Sequence, residues 1–189
     1  QLTIEPGTAF GARHAAGGLR DLPVEDVAAD MYDATQEICD AAGLPAYEVS
    51  NHARPGSESR HNLIYWRGGD WIGIGPGAHG RIGTAEGRIA TETDLAPGRW
   101  LERVATGSGE SLRECLSQTE TAEEYLMMSL RLTEGTDLAR LSRAGYQPDP
   151  ARLAELSALG LVTVEGSRLR STASGRLVLN EILRQLMVG

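Results

Sequence analysis

The chain has 189 residues, an ordinary apolar share of 41% and a formal net charge of −8, enough for one large or two small globular domains. Residues 1–85 carry 6 Arg against 11 acidic residues and residues 119–189 carry 8 Arg against 9, so neither half offers the basic face that nucleic acid or anionic lipid selects. All 18 basic side chains are Arg, which excludes a Schiff-base lysine or a lysine general base.

Two cysteines, Cys39 and Cys115, stand far apart without a CxxC partner, too few for a zinc site or a cysteine-held iron-sulfur cluster. No apolar run approaches the roughly 18 to 20 residues of a membrane span and no basic-then-apolar leader opens the chain. A cytoplasmic protein without a transmembrane segment is expected.

In chain order, residues 2–5 (LTIE) read as a short buried strand ending at the breaker pair Pro6-Gly7. Its position at the very start predicts a fragment that opens inside a structural element. From Val24 to Ala42 a helical stripe recurs at Val27, Met31, Ala34, Thr35, Ile38 and Ala42. Pro23 stands before this stretch, Glu25 and Asp26 in its first turn, and Gly43 and Pro45 after it, which predicts a helix. Ala46 to Ser50 reads as a second strand, giving a βαβ unit with a parallel, right-handed connection.

Residues 60–80, RHNLIYWRGGDWIGIGPGAHG, hold two His, an Asn, a Tyr, two Trp and six Gly and follow neither the strand nor the helix period. They read as a site loop presenting flat apolar surface with polar handles. A phosphate-cradling reading fails, because Pro76, Gly77 and Gly80 do not open a helix and there is no Lys. The glycines serve either tight backbone packing or close approach to a ligand. His61 lies beside Asn62 and four residues before Tyr65, so a loop or one helical turn would present imidazole, carboxamide and phenol together, with Trp66 adjacent. Three roles are open to His61: iron ligand, hydrogen-bond donor to an anionic ligand, or structural brace. His52 and His79 lack a helical partner for a metal pair. Glu5 ends the first expected strand and Glu48 sits within the second, near the strand ends where α/β folds meet ligands, or else they pair with nearby Arg such as Arg54 or Arg60.

Residues 86–118 read as a low-pattern connector with one short helix near Gly98 to Thr106. Thr121 to Glu124 has capping-box spacing ahead of a helix that Gly135 stops. Helical segments follow at Leu138 to Ala144 and Pro150 to Leu159, then a hairpin turning at Glu165-Gly166-Ser167, and a last helix from Ala173 to Met187. Together these make a winged-helix-like α+β module, a shape used both for nucleic-acid binding and for protein packing; the acidic-to-neutral surface favours packing.

The stretch YEVSNHARPGSESRHNLIYWRGGDWIGIGPGAHG resembles the oxygen-independent coproporphyrinogen III oxidase-like branch of the radical S-adenosylmethionine superfamily. QLTIEPGTAF, EEYLMMSLRLTEG and LGLVTVEGSRLRSTASGRLVLNEIL are similar to the same branch, in the same order. His61-Asn62-Leu63-Ile64-Tyr65-Trp66 matches an HNxxYW pattern that resembles the HemW haem chaperones rather than the oxidases.

The resemblance implies an α/β fold. Residues 1–85 would be the last strands and helix of a partial (β/α) barrel with the site loop, 86–118 a connector, and 119–189 the C-terminal domain. It implies haem or porphyrin as ligand and apo-haemoproteins as recipients, with His61, Asn62, Tyr65 and Trp66 as binding residues, His61 as candidate iron ligand, and Glu48, Asn51, Arg60 and His79 in secondary roles. It also implies a [4Fe-4S] cluster and S-adenosylmethionine in the missing N-terminal half, leaving this chain without radical chemistry of its own. The alternative activity is oxidative decarboxylation of coproporphyrinogen III; a remote one is nucleic-acid binding by the C-terminal module.

Overall fold

Hydrogen bonding in the computed structural model, which describes residue 4 and residues 7–20 and 22–187, builds short helices around two three-stranded sheets, both antiparallel. The fold is mixed α/β, as the sequence predicts, but the sheets are small and open, with no arc of parallel barrel strands among the described residues. The strand expected at residues 2–5 lies outside them apart from Ile4, and so does Glu5.

After α1 (Ala9–Ala15), α2 (Glu25–Ala41) forms where the Pro23, Glu25 and Asp26 signals place it. The face it turns inward is not the predicted stripe. Val27, Met31 and Ile38 are 46%, 59% and 70% exposed, while Ala28, Ala29, Tyr32 and Gln36 are half-buried. The Gln36 side chain, bonded to His52 at 3.1 Å, helps fix this rotation.

The second strand of the expected βαβ unit is absent. Residues 46–52 fold back within a few residues, with antiparallel bridges Ala46 to His52 and Glu48 to Leu132. Local bonds such as Tyr47 N–H to Asn51 O at 3.2 Å satisfy the backbone there. Helix α3 (Arg60–Trp66) follows, its N-terminus capped by Ser59, whose Oγ accepts from the Asn62 N–H at 3.3 Å.

Residues 86–118 are not a loose connector. Strands β1 (His79–Thr84), β2 (Gly87–Thr93) and β3 (Glu110–Leu116) pair in the order β1-β2-β3, with α4 (Pro97–Ala105) between the last two. The β1-β2 pairing runs across position 85, so the site segment and the stretch after it share one sheet.

The third unit carries the core. Helix α5 (Gln118–Ser129) begins four residues earlier than Thr121 would start it, because the capping box is Ser117 with Glu120: Ser117 Oγ accepts from Glu120 N–H at 3.1 Å and Glu120 accepts from Ser117 N–H at 2.8 Å. It ends at Ser129 rather than at Gly135, since residues 130–135 turn to pair Leu132 with Glu48.

Then come β4 (Thr136–Asp137), α6 (Leu138–Arg143), α7 (Pro150–Ala158), the hairpin β5 (Val162–Glu165) and β6 (Arg168–Ser171), and α8 (Ala173–Leu177) and α9 (Leu179–Met187). The single last helix of the sequence reading is split at Val178, whose φ of −117° and ψ of 24° leave the helical region. Leu126, Leu130, Leu141, Leu156, Leu169 and Ile182 are fully buried in one cluster, and Ser129 and Thr136 share a buried hydroxyl bond of 2.8 Å.

Leu126→Ala should therefore lower the unfolding free energy by about 2–5 kcal/mol through lost burial plus a cavity. The check is a lower urea midpoint with an unchanged slope.

Candidate functional site

The seven residues of α3 fall on three faces, His61 with Tyr65, Asn62 with Trp66, and Arg60 with Leu63 and Ile64. His61 is exposed, and its ring meets that of Tyr65 one turn on, edge to face, with centroids 4.7 Å apart. Tyr65 continues into Trp71 at 4.6 Å, so three rings form a continuous edge. Neither ring nitrogen of His61 meets a protein partner among the described residues. Asn62 points the other way and donates to the Tyr47 hydroxyl at 3.3 Å. Trp66 is half-buried, with the Arg131 guanidinium 5.9 Å from its ring and its indole N–H buried without an acceptor.

Trp71 is held by backbone and charge together. Its N–H and C=O exchange bonds with Arg81 at 2.8 and 2.9 Å, and its indole N–H donates to the His79 carbonyl at 3.0 Å. The Arg81 and Arg88 guanidinium groups stand 5.9 and 5.7 Å from its ring. Arg81 pairs with Glu124 of α5 at 2.8 Å and Arg88 with Asp70 at 3.1 Å. Burial pulls the Arg88 guanidinium below its ordinary value, and the Glu124 and Asp70 carboxylates oppose that pull.

In the glycine run, a Cβ at Gly73 would overlap the His79 backbone and one at Gly80 would overlap Thr91. Close backbone packing therefore accounts for these two positions.

Of the secondary residues, Glu48 and Asn51 meet each other, while Arg60 and His79 lie on other elements. Glu48 is fully buried and pairs with neither Arg54 nor Arg60: it accepts from the Ser50 N–H at 3.2 Å and from the Asn51 side chain, because its own turn brings those donors to it. His79 opens β1 with its ring 3.5 Å from a Glu92 oxygen. Arg60 is exposed and lines, with Leu63, Ile64, Arg67 and Gly69, a shallow hollow of about 320 Å³ on α3.

Two residues that the sequence reading did not single out, Glu134 and Arg140, hold α3 in place. Arg67 makes a two-pronged bond to Glu134 at 2.8 and 2.7 Å, and Arg140 donates to the Arg67 and Gly68 carbonyls at 2.6 and 3.1 Å. A side chain reaching a carbonyl some seventy positions away leaves no periodic trace, so no local signal announces Arg140.

Residues 116–178 match the family model described as the HemN C-terminal domain. The haem chaperone HemW of Mycobacterium tuberculosis is 38% identical over 190 residues, covering 98% of this chain and 46% of the relative; HemW of Escherichia coli is 36% identical, covering 97% and 47%. The chain belongs to the HemW and HemN family of radical S-adenosylmethionine proteins. Mouse radical S-adenosyl methionine domain-containing protein 1, mitochondrial, is 37% identical over 99% of the chain and 45% of its own length. The solved structure of E. coli coproporphyrinogen III oxidase HemN superposes with a TM-score of 0.68 at 18% identity, over 93% of this chain and 44% of that one, a likeness of fold. The chain spans about half the length of these relatives.

The family's iron-sulfur cluster does not fit the residues present. Cys39 on α2 and Cys115 on β3 are two separate free thiols, and among the described residues no group of three or more His, Cys, Asp or Glu could hold a metal ion. Among those residues, too, no helix is long and apolar enough to cross a membrane.

The Arg67–Glu134 pair makes the seat of α3 sensitive to acid. The hydrogen bond from Arg67 holds the Glu134 carboxyl below its ordinary value of 4.5, so its contribution is complete above that pH and is lost as the pH falls through the lower folded value. The gap in thermal midpoint between the wild type and Glu134→Gln should hold steady from about pH 7 to 5 and close below about 4.5. Both partners are about half exposed, so the gap will be small.

Proposed function

We propose that α3 and the Trp71 turn form the haem-contacting surface of a HemW-type haem chaperone, which passes its cargo to apo-haemoproteins. The observation that carries this reading is the continuous edge of His61, Tyr65 and Trp71, exposed at His61 and half-buried at the other two rings, with an imidazole that has no protein partner among the described residues. A porphyrin is a flat apolar disc with anionic propionates. The ring edge suits the disc, His61 would supply the iron ligand, and Arg60 beside the hollow on α3 would face a propionate. The relatives named as haem chaperones support the same function. Asn62 and Trp66 act by anchoring the helix; Glu48 and Asn51 bond to each other in the turn of residues 46–52, and the His79 carbonyl accepts from the Trp71 indole.

The cluster and S-adenosylmethionine would belong to residues beyond this chain. The C-terminal module serves as a protein-packing scaffold: its 8 Arg stand against 9 acidic residues, and three of them, Arg152, Arg170 and Arg184, are each paired with a neighbouring carboxylate at 2.6 to 2.8 Å.

Haemin titrated into the chain should give a saturable Soret shift, and His61→Ala combined with Tyr65→Phe should weaken binding about tenfold or more. An unchanged spectrum and affinity in that double variant would remove α3 from the site. In the complete protein, robust formation of protoporphyrinogen from coproporphyrinogen III would replace the chaperone reading with the oxidase.

A further inference from the structure

A cleft of about 720 Å³ opens between the first turns of α2, residues Val49 and Ser50, Arg131 beyond the end of α5, and the junction of α8 with α9. None of its lining residues lies on α3, and its volume falls in the range of about 300–1,000 Å³ common for small-molecule sites.

Its half-buried polar groups are donors that face no carboxylate at contact distance among the described residues. The Tyr32 hydroxyl is buried with no partner. Arg131 donates to the Met127 carbonyl and to Asn180 Oδ1 at 3.4 Å but forms no ion pair, and the Arg176 guanidinium has no hydrogen bond or ion pair among the described residues. Burial draws the Arg131 guanidinium below its ordinary value, with Glu48 opposing, so it is a desolvated cation that has not found a carboxylate at contact distance.

Three carboxylates also line the cleft, and all three are exposed. Glu25 and Asp26 belong to the first turn of α2, where they complement the helix dipole, and Glu181 is occupied by Arg184 and Gln185 at 2.6 to 2.8 Å. Exposed charges are screened by salt, whereas half-buried cations are screened much less, so the inner part of the cleft selects for negative charge.

We infer that this cleft binds the carboxylate or phosphate group of a small molecule, with Arg131 and Arg176 supplying the charge and Tyr32 a directed hydrogen bond. Arginine suits this role because its planar fork matches both oxyanions. None of the residues proposed to contact haem lines this cleft; Arg131 also stands 5.9 Å from the Trp66 ring, whereas Arg176 and Tyr32 have no hydrogen bond or ring contact with α3 among the described residues.

The test titrates the chain with inorganic phosphate, with succinate, and with sodium chloride at matched ionic strength, following the thermal midpoint and tryptophan fluorescence, since Arg131 stands over Trp66. Phosphate or succinate should raise the midpoint saturably beyond chloride. Arg176→Gln should weaken that binding about tenfold. Tyr32→Phe removes a hydroxyl that has no protein partner, so it should keep the ligand-free midpoint while weakening binding several-fold. A response to phosphate alone identifies a phosphoryl ligand, and one to succinate alone a carboxylate. A response no larger than that to chloride, or one that survives either substitution undiminished, overturns the site.

Discussion

Arg140 closes the C-terminal end of α3, and the arrangement of the candidate site depends on that closure. A helix of seven residues is far below the roughly 12 to 15 at which an isolated helix becomes even marginal in water. Its end must be held from outside. Arg140 does so by donating to the Arg67 and Gly68 carbonyls while its guanidinium lies 4.0 Å from the centre of the Tyr125 ring. The Tyr125 hydroxyl in turn accepts the Asp137 N–H at 3.2 Å, at the residue that caps α6. The geometry of the ring edge is thereby inherited from the leucine core of the C-terminal module.

Glu124 makes a second tie of the same kind. It lies on α5, its side chain is 19% exposed, and it faces both Arg81 at 2.8 Å and Arg88 at 3.9 Å, the two cations that flank Trp71. Removing it would leave Arg88, 13% exposed, with Asp70 alone, and a buried charge that loses a partner costs more than the pair contributes. The sheet, the Trp71 turn and α5 thus form one mechanical unit. The packing of Gly73 and Gly80 against their neighbours lets the backbone pass close enough for it.

What the sequence discloses follows from how local each determinant is. The winged-helix-like module is legible because its signals are local: Asp137 and Asp149 as caps, Pro150 in a first turn, Glu165-Gly166-Ser167 at a hairpin. Ser117 to Glu120 is equally legible as a capping box, although the identical spacing at Thr121 to Glu124 competes with it. Strand β3 is opaque for the opposite reason. Its central five residues are all exposed, so ESLRECL carries no alternation of apolar and polar positions, and its pairing is decided by the β1-β2 hairpin. The α2 stripe misleads because the half-buried face contains Tyr32 and Gln36, and the hydrogen bond of Gln36 to His52, rather than hydrophobicity, fixes that face. The concentration of rings between positions 60 and 80 is visible at once, but its anchors, Arg131, Arg140 and Glu134, lie about seventy residues away.

The HNxxYW pattern has a physical meaning once its two faces are separated. Its first and fifth positions, the exposed His61 and the half-buried Tyr65, are one helical turn apart and form the ring edge; its second and sixth, Asn62 and Trp66, are also one turn apart and reach Tyr47 and Arg131. The pattern therefore encodes an orientation as well as a set of ligands. On so short a helix, rotation about the axis is the least constrained coordinate, because Ser59 and Arg140 fix the ends but not the angle. Asn62 and Trp66 fix the angle. A helix with His61 and Tyr65 intact but the inward pair lost would keep its chemistry and lose its aim, and this explains why two residues turned away from the proposed ligand belong to the same motif as the two that face it.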